Sequence, residues 1–416
     1  MRPPALVDIR PLHEHPTFRR LWLGTTASGF GSNMGAFAVT FYVWDRTHNA
    51  AAVGLIGLFT AAPLVAFALL GSAFADHVDR RRLALVITWG QIATSLLMAA
   101  VAASSSDEIW AMLVLAGIAS GLSAVGDPAR RSFIPRLLPS DRLAAGLALN
   151  HLSFQLAMLL GPALAGVLTA WSGTGLCFVV DAVTFAAALV GIAGLPAASV
   201  TQGAGRSGAV AVSAGIRFAT QAPAVRGAFL ADLSATVLAM PMTLFPVINQ
   251  EKFGGSPQVL GLFTTALAVG GVLASALSGF ATRRHHPGLM LLGCGAVWGA
   301  SLAAVGLSSQ LCVVLALLAL AGGADTWAMV SRGTVVQSST PESHRGRVAS
   351  LEHIVGVAGP QIGGLRAGLV AATTSGSASL VIGGIACLAG TSLIAALAPH
   401  LRRFTVTGKS PMPRPA

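Results

Sequence analysis

Gly161-Pro162-Ala163-Leu164-Ala165-Gly166 returns later in the chain as Gly359-Pro360-Gln361-Ile362-Gly363-Gly364. Both copies lie inside long apolar segments. Both follow a basic, Pro-containing loop, Arg130 to Arg142 before the first and Arg332 to Arg347 before the second. The offset is close to half of the 416-residue chain, so the sequence reads as two similar halves. Apolar helices with an internal repeat are the pattern of a secondary transporter.

Composition points the same way. The chain is 54% hydrophobic and only 10% charged, with a mean hydropathy of +0.73. A soluble domain carries about 25% charged residues, so this surface must face lipid. The 48 glycines suit membrane helices, which pack through small residues. The net charge of +11 does not indicate nucleic acid, because the basic residues sit in short loops and form no patch with interleaved aromatics. The four cysteines (Cys177, Cys294, Cys312, Cys387) lie scattered in apolar stretches. No pair has metal-ligand spacing, and they read as reduced packing residues. No metal or cofactor is expected. The first apolar span lacks a small-residue cleavage site and is expected to be retained.

A membrane-crossing helix needs about 20 apolar residues. Twelve such stretches are predicted, centred near residues 32, 64, 93, 118, 157 and 186, then 238, 269, 298, 321, 360 and 388. If the N-terminal tail is cytoplasmic and the spans alternate, 23 of the 26 Lys and Arg fall on the cytoplasmic side. Arg46 and Lys252 fall outside, and Arg366 lies within a span. This is a strong positive-inside pattern. It predicts an all-α membrane protein with both termini cytoplasmic. The expected layout is a six-helix half over 1–195, a cytoplasmic linker over 196–224, a second half over 225–404, and a disordered tail over 405–416. The outer loops (Ser104 to Glu108, Trp171 to Gly175, Ser308 to Gln310, Thr373 to Ser377) are too short for an extracellular domain. Trp22, Tyr42, Trp44, Trp110 and Trp171 read as aromatic-belt anchors. Arg outnumbers Lys 24 to 2, which suggests a GC-rich bacterial genome and places the chain in a bacterial inner membrane.

The loop after the second span, Gly71-Ser72-Ala73-Phe74-Ala75-Asp76-His77-Val78-Asp79-Arg80-Arg81-Arg82, resembles the loop signature of the major facilitator superfamily. Asp76, Arg80 and Arg81 match that signature, and His77 departs from it. The resemblance implies a bistable ion-pair latch that holds one state of an alternating-access cycle. The alternative is that the arginines are only positive-inside anchors. The equivalent second-half loop, Ser278 to Arg284, has lost its Asp.

Gly161-Pro162 in the fifth span is similar to the superfamily's antiporter motif, with Ala165 as a departure. Gly359-Pro360 echoes it in the eleventh. Proline removes a backbone hydrogen bond and glycine permits close packing, so helix kinks are expected at both. Asp127-Pro128-Ala129-Arg130-Arg131 through Pro139, Thr340-Pro341-Glu342 with Arg345-Gly346-Arg347, and Leu401 to Phe404 resemble the enterobactin-exporter-like branch and the related macrolide-type drug exporters.

Ionisable groups at membrane depth are functional candidates by default. Asp232 lies in the seventh span and Asp325 in the tenth, with Trp327 close by. The resemblance implies that the first, fourth, seventh and tenth helices line a central cavity. Desolvation favours a neutral carboxyl, so a carboxyl that protonates in one state and releases in another can couple proton inflow to substrate exit. Alternatively each Asp is wet or paired with a loop arginine, roughly 9 Å from the interface. Asp181 reads as an interfacial, hydrogen-bonded residue on a peripheral helix. Arg366 can snorkel to water or serve the cavity. Glu352 and His353 read as the start of the eleventh span, near a gate. Asp127 is placed to pair with Arg130 or Arg131. Asn33, with Ser32 and Thr25, gives the first span a polar stripe, and His151 and Gln155 lie one turn apart in the fifth; cavity lining and interhelical hydrogen bonding are both open.

These readings predict a proton-coupled exporter of a small amphipathic molecule, a drug or a siderophore, active as a monomer. An importer of a nutrient or organic anion on the same fold is the alternative. An intramembrane enzyme is disfavoured, because no His-x-x-x-His, Gly-x-Ser-x-Gly or Walker loop occurs. Catecholate siderophores are acidic, whereas the cavity candidates are mainly carboxylates, which suit protons or cationic drugs.

Overall fold

The computed structural model describes residues 8–75, 79–104, 108–195, 208–277 and 286–405. Twelve long helices follow the twelve predicted stretches: α1 (Pro16–Thr47), α2 (Ala50–Ala75), α3 (Arg80–Ala103), α4 (Ile109–Arg131), α5 (Ser140–Ser172) and α6 (Thr174–Ala193), then α7 (Pro223–Leu238, continued by Phe245–Phe253), α8 (Pro257–Ala276), α9 (Pro287–Leu307), α10 (Leu311–Ser339), α11 (Glu342–Thr373) and α12 (Gly376–Leu397). No strand occurs among the described residues. Eleven of these helices are long and apolar enough to cross a membrane. The exception is α1, which has the length but carries the polar stripe of Thr25, Ser28, Ser32 and Asn33.

The repeated Gly-Pro motif does two kinds of packing in each half. Within the first half, a Cβ on Gly161 would fall 2.7 Å from the Cβ of Asn33, so α5 lies directly on α1. Within the second, a Cβ on Gly359 would fall 2.7 Å from Thr236 Oγ1, so α11 lies on α7 in the equivalent way. The same motifs also reach across to the other half. Gly261 of α8 packs against the Pro162 carbonyl, and Gly166 against the Pro257 carbonyl. Gly57 of α2 packs against the Gln361 carbonyl, and Gly54 against Gly364 and Leu365. Only small residues allow backbones this close. Both helices run continuously through Pro162 and Pro360.

The interrupted helix is instead α7. Helical geometry stops at Leu238, a single 3-10 turn covers Met242–Leu244, and the helix resumes at Phe245. Pro241 cannot donate the hydrogen bond that would continue the first arm, and Pro246 fits the first turn of the second. The second arm is fastened at its tip. Lys252 donates to the Gly306 and Ser308 carbonyls at 2.6 and 2.8 Å, filling the orphan acceptors at the C-terminus of α9. The Glu251 carboxylate accepts from the backbone N–H groups of Gly376 and Ser377 at the start of α12.

Several details differ from expectation. Arg130 and Arg332 are helical, because α4 extends to Arg131 and α10 to Ser339. Glu352 lies well inside α11, which begins at Glu342. Tyr42 and Trp44 are buried within the protein, whereas Trp110 and Trp171 are 66% and 79% exposed. Within the linker, residues 208–221 form a helix, on which Phe218 stacks against His344 of α11 at 5.0 Å. Residues 196–207 of the linker, the tail from 406, the Ser278–Arg284 loop and Asp76 lie outside the described residues.

Candidate transport site

A cavity of about 470 Å³ lies between the halves. The α7 break supplies Met240, Met242 and Thr243 to its wall, and the second motif supplies Pro360 and Gln361. Backbone that leaves a helix at membrane depth is tolerated where it lines a cavity. Glycine contacts across the halves, α2 on α11 and α5 on α8, lie on the side away from the arginine-rich ends, and Gly57 and Gln361 of the first pair stand in the wall of the cavity. Toward those ends it adjoins a second cavity of about 200 Å³, and Ser32, Ser123 and Phe185 line both.

The helices around the central cavity are not the expected set. Of the implied four, α1, α4 and α7 contribute; α10 contributes no lining residue, and α2, α3, α6 and α11 do. For α2 and α11 the reason is their direct contact, because Gly57 meets Gln361 at the cavity wall. Asp232, Asp325 and Trp327 accordingly stand away from this cavity.

Two arginine clusters organise the charged residues. In the first half, Arg130 is buried at the end of α4. Its guanidinium donates to Asp127 Oδ1 at 2.7 Å and to Gln91 Oε1 of α3 at 3.0 Å. Asp127 itself is half exposed. In the second half, Arg332 of α10 is buried between two acids. It pairs directly with Asp232 of α7, and its Nε lies 3.4 Å from Glu352 Oε1 of α11. A cation placed between two carboxylates explains why α10 stays helical past its apolar stretch: the charge is neutralised where it stands. The reading of Asp232 as partner to a basic group therefore holds, but the arginine belongs to a helix and not to a loop.

The other candidates are more dispersed. Asp325 is exposed on α10 and makes no ion pair among the described residues. Trp327 Nε1 donates to the Ala274 carbonyl of α8 at 2.9 Å and borders an apolar groove among α8, α9 and α10. Asn33 donates to the Gly29 carbonyl of its own helix at 2.9 Å and lines the cavity near the arginines. Gln155 is half-buried and lines neither cavity, and His151 is exposed. Arg366 lies against Gly383 of α12, next to the Leu238 carbonyl at the α7 break. Arg81 donates to the Ala193 carbonyl at the C-terminus of α6 at 2.5 Å, while Asp79 caps α3 by accepting from Arg81 N at 2.8 Å. Arg80 opens α3 half-buried.

Sequence reasoning also misplaced Asp181. Asp181 of α6 is 7% exposed and lines the central cavity, so it is not interfacial. Ser95 of α3 donates to its Oδ2 at 2.7 Å. The available signal was a single acid in the middle of a very apolar span. The α7 break was also missed, although Pro241 and Pro246 marked it.

Comparison with known proteins bears on this arrangement. A family model described as transmembrane secretion effector matches residues 8–415. The enterobactin exporter EntS of Salmonella typhimurium is 25% identical over 406 residues, covering 97% of each chain. EntS of Escherichia coli O1:K1 is 25% identical over 405 residues, covering 97% of this chain and 96% of its own. Among solved structures, the nucleoside transporter NupG aligns with a TM-score of 0.71 at 12% identity, covering 92% of this chain and 98% of its own. A bacterial homologue of the iron transporter ferroportin, in an inward-facing state, aligns with a TM-score of 0.70 at 16% identity, covering 93% and 99%. Twelve helices in this arrangement, matched along almost their whole length, make this multi-pass inner-membrane protein an exporter and not an enzyme, a member of the transmembrane secretion effector family of the major facilitator superfamily.

Proposed function

We propose that the chain exchanges protons for a small amphipathic molecule, a siderophore or a drug, by alternating access between its two halves. The carrying observation is the asymmetry of the central cavity. Glycine-mediated contacts between the halves crowd on the side remote from the arginines, while a second cavity adjoins it toward them. With the basic ends cytoplasmic, this is a state open to the cell interior, ready to load cargo. The two halves then rock, and the seals of α2 on α11 and α5 on α8 open. Asp76, Arg80 and Arg81 act as the latch on the cytoplasmic side, and Asp127 with Arg130 steadies the first half beside it. The Asp232–Arg332–Glu352 cluster is the charged switch of the second half, with Asp325 as the acid nearest along α10. Trp327, Asn33, Gln155 and Arg366 complete the polar candidates along the route. The protein works as a monomer in this scheme. The name of the EntS relatives favours a catecholate siderophore as cargo.

Everted membrane vesicles energised with a proton gradient test this. Uptake of a catecholate siderophore and of a cationic dye is compared with and without a protonophore. Protonophore-sensitive uptake of either is the expected result, and which one enters assigns the cargo class. Accumulation of neither, or accumulation indifferent to the protonophore, sinks the proton-coupled reading.

A further inference from the structure

The proton-coupled reading asks for a carboxyl that can change its charge within the cavity. Asp232 is a poor choice, because Arg332 sits directly on it. Asp325 does not line the central cavity. Asp181 lines that cavity, is 7% exposed, and forms no ion pair among the described residues. One of its oxygens accepts from Ser95 Oγ at 2.7 Å, Ser32 of α1 is the second hydroxyl beside the carboxyl, and Oδ1 is buried.

The surroundings of this carboxyl are built from small and neutral groups. On α1, a Cβ added to Gly31 would fall 2.7 Å from Oδ1, and one added to Gly35 would fall 3.5 Å from Oδ2. Ser32 lies between those glycines and faces both cavities. On α3, Ser95 is the direct partner and Gln91 stands one turn away. The titratable group on α6 itself is Cys177, one turn earlier, which is occupied by the Ala165 carbonyl and Thr169 of α5. Arg130, which also borders the adjoining cavity, is held by Asp127 and by Gln91 of α3. A buried carboxylate with no cation is costly to keep charged.

We propose that Asp181 is the proton-carrying group of the exchange. A proton passes along the Ser32- and Ser123-lined passage and is taken up on a carboxylate oxygen, which loses its charge. The Ser95 hydroxyl stays as hydrogen-bond partner in both forms. Release of the same proton restores the carboxylate, and no other bond is made or broken. The idea rests on the proton-coupled reading above.

The proton itself is the probe. The purified full-length protein in lipid nanodiscs is acidified while infrared difference spectra record the carbonyl stretch of protonated carboxyls. Asp181→Asn is expected to abolish one such band that survives in Asp232→Asn and in Asp325→Asn. Ser95→Ala is expected to move the frequency of that band, because its hydrogen bond is lost. A band untouched by Asp181→Asn, or abolished by either of the other two substitutions, overturns the assignment. If Asp181→Asn does not fold, Ser95→Ala decides, and an unmoved band overturns it. A negative spectrum beside protonophore-sensitive vesicle uptake removes only this inference. Loss of coupled uptake in the unaltered protein removes the exporter mechanism, whatever the spectrum.

Discussion

Arg130 and Arg332 occupy matching places, each buried near the arginine-rich end of its half on α4 and on α10. Their partners differ. Arg332 is wedged between two acids from two other helices, α7 and α11. Arg130 holds one half-exposed acid from its own helix and a neutral glutamine from α3. Asp181 of the first half and Asp325 of the second form no ion pair among the described residues. One fold repeated twice therefore surrounds its matching arginines in two ways. The second half gathers two acids from other helices around one arginine, while the first gives its arginine a single acid on the same helix.

The largest effect expected from this difference is at Arg332. Arg332→Leu leaves the partly buried Asp232 and Glu352 without their cation, and breaking such a cluster costs up to about 3–5 kcal/mol. Arg130→Leu strands only a glutamine and an acid that water can reach, a loss of about 1–3 kcal/mol. Thermal unfolding of both variants in nanodiscs measures the gap, and equal losses would end the contrast between the halves.

A smaller effect is expected where the halves meet. A side chain at Gly57 collides with the Gln361 carbonyl, and one at Gly261 with the Pro162 carbonyl. Gly57→Leu and Gly261→Leu should each weaken the sealed state by about 1–3 kcal/mol. In a cysteine-free background carrying Ser120→Cys in the central cavity, labelling from outside by a membrane-impermeant thiol reagent should rise by on the order of tenfold. A rise in only one variant would show that one seam carries the seal. The smallest effect belongs to Asp127→Asn, because Asp127 is half exposed and its i,i+3 pair with Arg130 is worth about 1 kcal/mol or less. A larger drop in unfolding temperature than that would mean Asp127 ties the first half together as tightly as Asp232 ties the second.

The fold was largely legible in the sequence because its strongest determinants are local. Span length follows from the thickness of the bilayer, and the Gly-Pro repeat marks where backbones approach. Even α1, which carries a polar stripe, is among the twelve apolar stretches, centred near residue 32, and the charge alternation supports counting it. The site was less legible, because burial at membrane depth does not tell which way a helix face turns. Asp181 and Asp232 are both single acids in apolar spans. Only packing shows that α6 turns its acid toward the small residues of α1 and the cavity, while α7 turns its acid toward α10. Arg332 was taken for a loop residue because charge normally ends a span, and its neutralisation by two distant residues has no sequence-local sign.

The interruption of α7 has a mechanical consequence. Its first arm is bolted through Asp232 to α10, and its second through Glu251 and Lys252 to the far tips of α12 and α9. The two bolts lie at opposite ends of the half, and Ala239 to Leu244 lies between them, with Ala239 packed near Gly383 of α12 and Met240 near Gly363 of α11. If the arms change their mutual angle, this break is where the change is expected, and it would carry Met240 and Met242 of the cavity wall with it.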